Sequence, residues 1–485
     1  MPIPPDPPIE RPVDTADPLQ ALRALAGLPH AFLLHSAIED ARGRWSFFGA
    51  DPFAVFRGER YQEAAAEWRR IARRVRRGAA KAAAPPFTGG MVGYWSYDFG
   101  RRLERIPSVA RDDLGLPDFV LGLYDVVGAF DHVAGRATLY SSGLPLDGEA
   151  GRARAEARLD EVARLLARPV RASPRTVEPG VATHAVSTFS PDGYLRAVEG
   201  VKEHIRRGDI FQANLSQRWT VAPARPGAGG RAGVAPESPG AIAFALHEAL
   251  ARRSPAPFAG CFDAGDHAIA CASPESFLTV RGRTVTTRPI KGTRPRGADP
   301  AEDRARMDEL LASEKDRAEN VMIVDVLRND LGRVCETGSV ETSSLCELET
   351  FAQVHHLTST VIGTLRPGLD AIDLFNAAFP GGSITGAPKI RAMEILDALE
   401  PVRRHIYTGS LGYLDWRGDA DWNIAIRTAL VTPGAFHFAA GGAITADSDP
   451  EAEFLETLHK AEGVRLALGD LLGPVVLEPG AVHAR

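Results

Sequence analysis

Glu275-Ser276-Phe277-Leu278-Thr279-Val280-Arg281-Gly282-Arg283-Thr284-Val285-Thr286-Thr287-Arg288-Pro289-Ile290-Lys291-Gly292-Thr293-Arg294 is the stretch from which the rest of the chain can be read. Residues 275–280 and the β-rich run 284–287 flank a tight Arg281-Gly282-Arg283 turn, the pattern of an antiparallel hairpin. Folding the pair about Gly282 sets Glu275 opposite roughly Pro289, so Lys291 lies diagonally near Glu275, about 7–8 Å away by cross-strand geometry. A carboxyl and an amine then share one small space. Such a pair is more commonly a surface ion pair worth little. Two local features favour a site instead. Gly292 permits the close approach of a ligand where the chain leaves the strand. Lys291 also stands beside Arg288 and Arg294, and neighbouring cations or a dry pocket help an amine shed its proton and become a nucleophile.

A chain of 485 residues with 44% hydrophobic content can bury a large core, as one big domain or two interwoven ones. The net charge of −6, from 56 basic and 62 acidic residues, gives no basic domain for nucleic acid and points to a small substrate. Cys261, Cys271, Cys335 and Cys346 have neither CxxC spacing nor the density of a disulfide scaffold, and read as reduced core residues. The N-terminus lacks the basic start and apolar run of a signal peptide, and no apolar stretch reaches the ~18 residues that span a bilayer. The expectation is a cytoplasmic protein that uses no membrane.

Working outward from the hairpin, residues 1–12 are proline-rich and read as an extended tail. Residues 13–170 form a first subdomain, with strands at Ala31–Leu34 and Gly43–Gly49 and an arginine-loaded helix over Glu59–Arg77 that reads as a solvated face. A helix over Ala150–Ala167 leads into a three-proline linker, Arg168–Thr183, and residues 184–485 form the second region. That region opens with a helix from Ser190 to about Gly208 and carries a Gly/Pro/Ala-rich loop insertion at 223–240. Residues 303–331 read as one long helix ending at Gly332, with Glu314, Asp316 and Glu319 along it. Phe351–Leu365 reads as a strand carrying His355 and His356, which must point to opposite faces. Phe379–Lys389 is a glycine-rich loop entering a helix, without the Gly-Lys-Ser/Thr ending of a nucleotide-phosphate loop. Tyr407–Trp416 and Trp422–Val431 read as a second hairpin about 417–420. The last helix opens at an Asp449 cap, and Glu453, Glu456 and Lys460 recur on one of its faces.

Pro289-Ile290-Lys291-Gly292-Thr293 resembles the motif of the chorismate-utilising enzymes, in the form carried by their aminodeoxychorismate synthase branch. Anthranilate synthases, the nearest relatives, generally have alanine where this chain has Lys291. The resemblance extends over nearly the whole chain and is most specific from Phe211 to Lys460. It implies a mixed α/β (α+β) body: two packed antiparallel sheets with helices outside. It also implies that chorismate is the substrate, that Lys291 is the nucleophile and Glu275 the acid, and that His356 stands near the reacting ring. Asp316–Asn320 is similar to the family segment whose glutamate binds Mg2+, so Glu319 and Glu456 are the implied metal ligands, a hard-oxygen set that suits magnesium. Gly292, Thr293, Tyr407, Arg427, Gly441, Gly442 and Lys460 are the implied substrate contacts, the arginine fork suiting a carboxylate. Ala443 stands where the family usually has glycine, and its methyl group narrows the approach to the ligand.

Gln212 sits where water-using relatives carry a lysine, and an amide cannot serve as a base, which favours an ammonia-using branch. Leu33-Leu34-His35-Ser36 resembles the segment that lines a tryptophan pocket in anthranilate synthases, making Leu34 and Ser36 candidate pocket residues. Feedback-inhibited relatives have glutamate at the position of His35, and an imidazole suits an ammonium group less well. No cysteine lies in a nucleophile-elbow context and no spare ~200 residues remain for a glutaminase, so ammonia is expected from a separate glutamine amidotransferase subunit. The expected activity is that of an aminodeoxychorismate synthase, in the route to para-aminobenzoate and folate. The alternatives are anthranilate synthase component I and a non-catalytic regulatory subunit that binds chorismate or tryptophan.

Overall fold

The hairpin forms about Gly282. In a computed structural model that describes residues 7–15, 17–38, 43–75, 84–168, 182–222, 238–351 and 354–480, Ser276–Arg281 pairs antiparallel with Thr284–Thr287. Val280 faces Val285, and Gly282 takes φ +63, a left-handed turn conformation open to glycine. The ladder stops there: the Ile290–Pro295 strand leaves its hairpin partner and pairs with Val354–Thr364, Lys291 opposite Leu357 and Thr293 opposite His356. Gly292, at φ +79, is the extra residue of a bulge between them.

Period-two alternation sorts the strands into two sheets of 13 and 10 strands. In the larger sheet, Ile269 and Cys271 of the Ala268–Ser273 strand face the space between the sheets, while Ala268, Ala270 and Ala272 face helices Pro239–Arg253 and Pro450–Leu472. In the smaller sheet, Val92 and Tyr94 of Gly90–Trp95 meet the same inner core, and Met91 and Trp95 face an outer core shared with Tyr61–Ala72 and Ala371–Ala378. The result is a helix–sheet–sheet–helix stack with three apolar layers, a mixed α/β fold with helices outside two packed sheets. Among the described residues every strand pairing is antiparallel except Val475–Glu478 against Thr183–Ser187. All four cysteines are buried and free.

Both sheets draw strands from either side of the 168–183 segment. Phe32–His35 pairs with Phe258–Asp263, and Gly90–Trp95 pairs with Ser410–Asp415. Residues 169–181 of that linker and 223–237 of the loop insertion lie outside the described residues. Three expectations need correction. Ile9–Val13, placed in the tail, is an edge strand against Arg136–Ser141, with Ile9 and Val13 packed on a core. The helix expected over 303–331 breaks at Ser313 into Pro300–Ala312 and Glu314–Gly332; the Ser313 side chain accepts from the Asp316 N–H and caps the new start. The expected second hairpin keeps only Ser410–Asp415 and Ala420–Asn423, because the chain then crosses to the larger sheet as Thr428–Thr432.

That crossing positions the site. The chain passes between the sheets at Pro274–Glu275 and again at Ile424–Arg427, and the two crossings run side by side. The Ile424 N–H donates to the Glu275 carbonyl at 3.0 Å, and the Ser273 hydroxyl donates to the Ile424 carbonyl at 2.6 Å. Glu275 and Arg427 therefore enter the same space from adjacent backbone.

Candidate active site

That space is a cavity of about 430 Å³, a size suited to a small organic ligand. The smaller sheet supplies Lys291, Gly292, Thr293 and His356, the larger sheet supplies Asn214, Gly441 and Ala443, and Glu275 comes from the crossing between them. Lys315, Asp316 and Glu319 come from the helix capped by Ser313. Glu453, Glu456 and Lys460 come from the last helix, where their i, i+3 and i+7 spacing keeps them on one face. Ser383, Ile384, Tyr407 and Arg427 close the remaining side.

The floor is dry. Burial pushes the Glu275 carboxyl above its ordinary value, against the opposing charge of Lys291. One carboxyl oxygen, Oε1, and the Ser383 hydroxyl are buried without a hydrogen-bond partner. Burial lowers the Lys291 amine, although Glu319 and Glu275 pull the other way. Its Nζ donates to the Ser383 carbonyl at 3.0 Å. Thr293 fixes the His356 imidazole through a 2.8 Å contact between Oγ1 and Nδ1, while His355 points away to Asp303 and Thr350.

The rim carries charge. Burial raises Glu319 and Glu453, and Glu453 Oε2 has no partner. Burial would raise Glu456 as well, but Lys460, 2.6 Å away, outweighs it and holds that carboxyl below its usual value. Lys460 also donates to the Gly441 carbonyl at 2.9 Å. The Lys315 ammonium stands 4.0 Å from Glu319 and 3.8 Å from Glu453. Among the described residues no three acidic, histidine or cysteine groups converge as a ready cage. Magnesium keeps several waters and needs only one or two carboxylates, and the separate Glu319 and Glu456 oxygens, with the unpartnered Glu453 oxygen beside them, fit such an ion. Arg427, at φ +50 on the crossing, has its pKa lowered by burial. A half-buried guanidinium in that setting is a receptor for an anion.

The cavity thus gathers Lys291, Glu275, His356, Gly292, Thr293, Tyr407, Arg427, Gly441, Lys460, Glu319 and Glu456. Gly442 is not on its surface: a methyl group there would stand 2.7 Å from Glu453 Oε2, so this glycine admits a carboxylate of the protein. Gly292 likewise makes room for Asp316 and Leu310, 2.9 Å from a would-be methyl group, as well as lining the cavity. Gln212 is buried outside the lining, and Asn214, two residues on, takes its place. Leu34 and Ser36 do not line this cavity. Ser36 turns to Ile38 and Ser46, and His35, lowered to about 4 mainly by burial, contacts His247 at 3.2 Å. Glu453, Lys315, Asp316, Asn214 and Ser383 also line the cavity; Glu453 shares a helix face with Glu456 and Lys460, Asp316 opens the segment that carries Glu319, and Ser383 lies in the glycine-rich loop, whereas nothing in the sequence marks Lys315 or Asn214.

A family model described as "chorismate binding enzyme" matches residues 31–465. The anthranilate synthase component 1 of Thermus thermophilus is 40% identical over 472 residues, 94% of this chain and 96% of that protein. The aminodeoxychorismate synthase component 1 of Klebsiella aerogenes is 36% identical over 455 residues, 91% of this chain and 94% of its own. The crystal structure of anthranilate synthase component I from Streptococcus pneumoniae superposes with a TM-score of 0.72 at 30% identity, covering 88% of this chain and 93% of that one. Relatives of both names match to a similar degree, so they fix the family and leave the choice of reaction to the site. With its cavity and nearly all of its length inside the match, the chain belongs to the chorismate binding enzymes and is a chorismate-utilising enzyme.

Proposed function

We propose that this chain is the chorismate-aminating component of an aminodeoxychorismate synthase. The observation that carries the reading is Lys291: a partly buried amine, its pKa lowered by desolvation, in one cavity with a buried carboxyl whose pKa is raised. An acid and a nucleophile sharing a dry site need these opposite shifts. A binding-only protein needs neither.

Neutral Lys291 attacks ring carbon C2 of chorismate. The two ring double bonds shift, and the C4–oxygen bond breaks as protonated Glu275 gives its proton to the departing hydroxyl, which leaves as water. Ammonia then attacks C4, the double bonds shift back, and the C2–nitrogen bond to Lys291 breaks. The proton shed by the new amine returns to the site, and 4-amino-4-deoxychorismate leaves. His356, held by Thr293, stands beside the ring, and Tyr407, Arg427 and Lys460 hold the substrate's oxygens. Glu319 and Glu456 would hold the magnesium ion, whose charge when bound offsets a substrate carboxylate.

Ammonia would be delivered by a separate glutamine amidotransferase subunit, and an ammonium salt should replace it in part. The test is to incubate the protein with chorismate, magnesium and an ammonium salt and identify the product by mass and by its response to an added aminodeoxychorismate lyase. Aminodeoxychorismate, converted to para-aminobenzoate, supports the reading. Anthranilate would mean that Lys291 is not the residue that decides the reaction, and binding without turnover would indicate a regulatory subunit.

A further inference from the structure

Behind the cavity lies an ion pair with no place in the chemistry above. Glu400 and Arg404 are buried to within 6% and 3% of side-chain exposure, one helical turn apart in spacing, and neither lines the cavity. All five N–H donors of the guanidinium are used. Nε and Nη2 meet the two Glu400 oxygens at 2.8 and 2.7 Å; Nη1 reaches the Ile384 carbonyl at 3.1 Å and the Thr408 hydroxyl at 3.3 Å; Nη2 also donates to the Asn214 carbonyl. Glu400 in turn accepts from both the N–H and the hydroxyl of Ser216, at 2.9 and 2.8 Å. The plane of Arg404 lies 4.6 Å from the Tyr97 ring and 6.0 Å from the Tyr407 ring.

Each of these partners is a piece of cavity wall or its immediate neighbour. Asn214 and Ser216 belong to the Gln212–Val221 strand, and Thr408 follows Tyr407. Ile384 belongs to the short turn Gly382–Ile384, whose preceding carbonyl, that of Ser383, receives the Lys291 amine. Asn214 reaches the same turn from its side chain, Nδ2 donating to the Ile384 carbonyl at 3.3 Å. A fully satisfied buried network of this kind fixes one arrangement of the segments it joins.

We propose that the Glu400–Arg404 pair is a positioning element of the active site: by clamping the 382–384 turn to the Gln212–Val221 strand and to Thr408, it sets the Ser383 carbonyl that holds Lys291 and the place of Tyr407. Its effect on turnover rests on Lys291 being the nucleophile; its effect on the placing of the amine does not.

The test uses two variants of the full chain. Arg404→Lys keeps the charge but cannot span two carbonyls and a carboxylate. The double variant Glu400→Gln/Arg404→Met leaves no buried charge and carries the test if the first fails to fold. Thermal melting establishes that each is folded. Chorismate consumption with magnesium and ammonium gives kcat and KM whichever product forms. Mass spectrometry gives the rate at which an amine-acylating reagent modifies Lys291 relative to Lys315. The expected result is a fall in kcat of about tenfold or more with the KM for chorismate within roughly threefold, and faster labelling of Lys291 as the turn loosens. Unchanged kcat and labelling in a folded variant, or a raised KM at unchanged kcat, would overturn the positioning role. Anthranilate as product from the parent protein would sink the reading of the reaction instead, and leaves the labelling result to decide the positioning role on its own.

Discussion

The floor and the rim of the cavity are built from the same two residue types and behave differently. On the floor, Glu275 is buried and Lys291 partly buried, one Glu275 oxygen lacks a partner, and desolvation moves both groups toward neutrality. On the rim, Glu456 and Lys460 are each about half exposed and pair at 2.6 Å, and the carboxyl is held in its charged form. Water access decides the outcome: a dry acid–amine pair is poised for chemistry, and a wet one for holding ions and substrate oxygens.

If the floor does chemistry, Lys291→Ala should give the largest loss, on the order of a thousandfold or more in chorismate turnover, with chorismate binding retained by calorimetry. Glu275→Gln should cost about 10²- to 10⁴-fold in kcat. The same contrast sets the pH profile. As pH falls Lys291 gains a proton and stops being a nucleophile, and because burial lowers its pKa this limb lies below the range of an ordinary lysine. As pH rises Glu275 loses its proton and stops being an acid, and because burial raises its pKa this limb lies above the ordinary carboxylate range. Glu275→Gln should remove the alkaline limb.

The rim should respond through binding. Glu319→Gln and Glu456→Gln should each weaken magnesium binding by about 10- to 100-fold or more, followed by calorimetry on the protein without substrate. Arg427→Lys should raise the KM for chorismate more than it lowers kcat, since a lysine cannot offer the bidentate fork. Ala443→Gly, which removes one methyl group from the cavity wall, should change the KM by no more than roughly fivefold, since one methyl is worth about a kilocalorie.

The floor was legible because a hairpin fixes its own register. Counting through Gly282 brings Lys291 near Glu275, although the structure achieves this with Ile290–Pro295 on a different partner strand. Spacing alone made the rim legible on the last helix, where steps of three and four residues keep Glu453, Glu456 and Lys460 together; Glu319, Tyr407 and Arg427 came from the resemblance. What the sequence could not disclose was tertiary. Ser383 enters through a turn held by a distant arginine and Lys315 through a helix restarted at Ser313; the resemblance marked Arg427, but its route into the site, a change of sheet, is one that periodicity reads as a continuous strand. Leu34 and Ser36 stay out of the cavity, and His35, its pKa lowered mainly by burial, contacts His247.

The central claim, that the dry amine is a nucleophile, is tested most directly by mixing the protein with chorismate and magnesium in the absence of ammonia, quenching, and mapping peptides by mass spectrometry. The account predicts that the peptide carrying Lys291 gains the mass of chorismate less one water, and that adding ammonium discharges it. Aminodeoxychorismate formed at an undiminished rate by Lys291→Ala, with no such adduct on the parent protein, would contradict it.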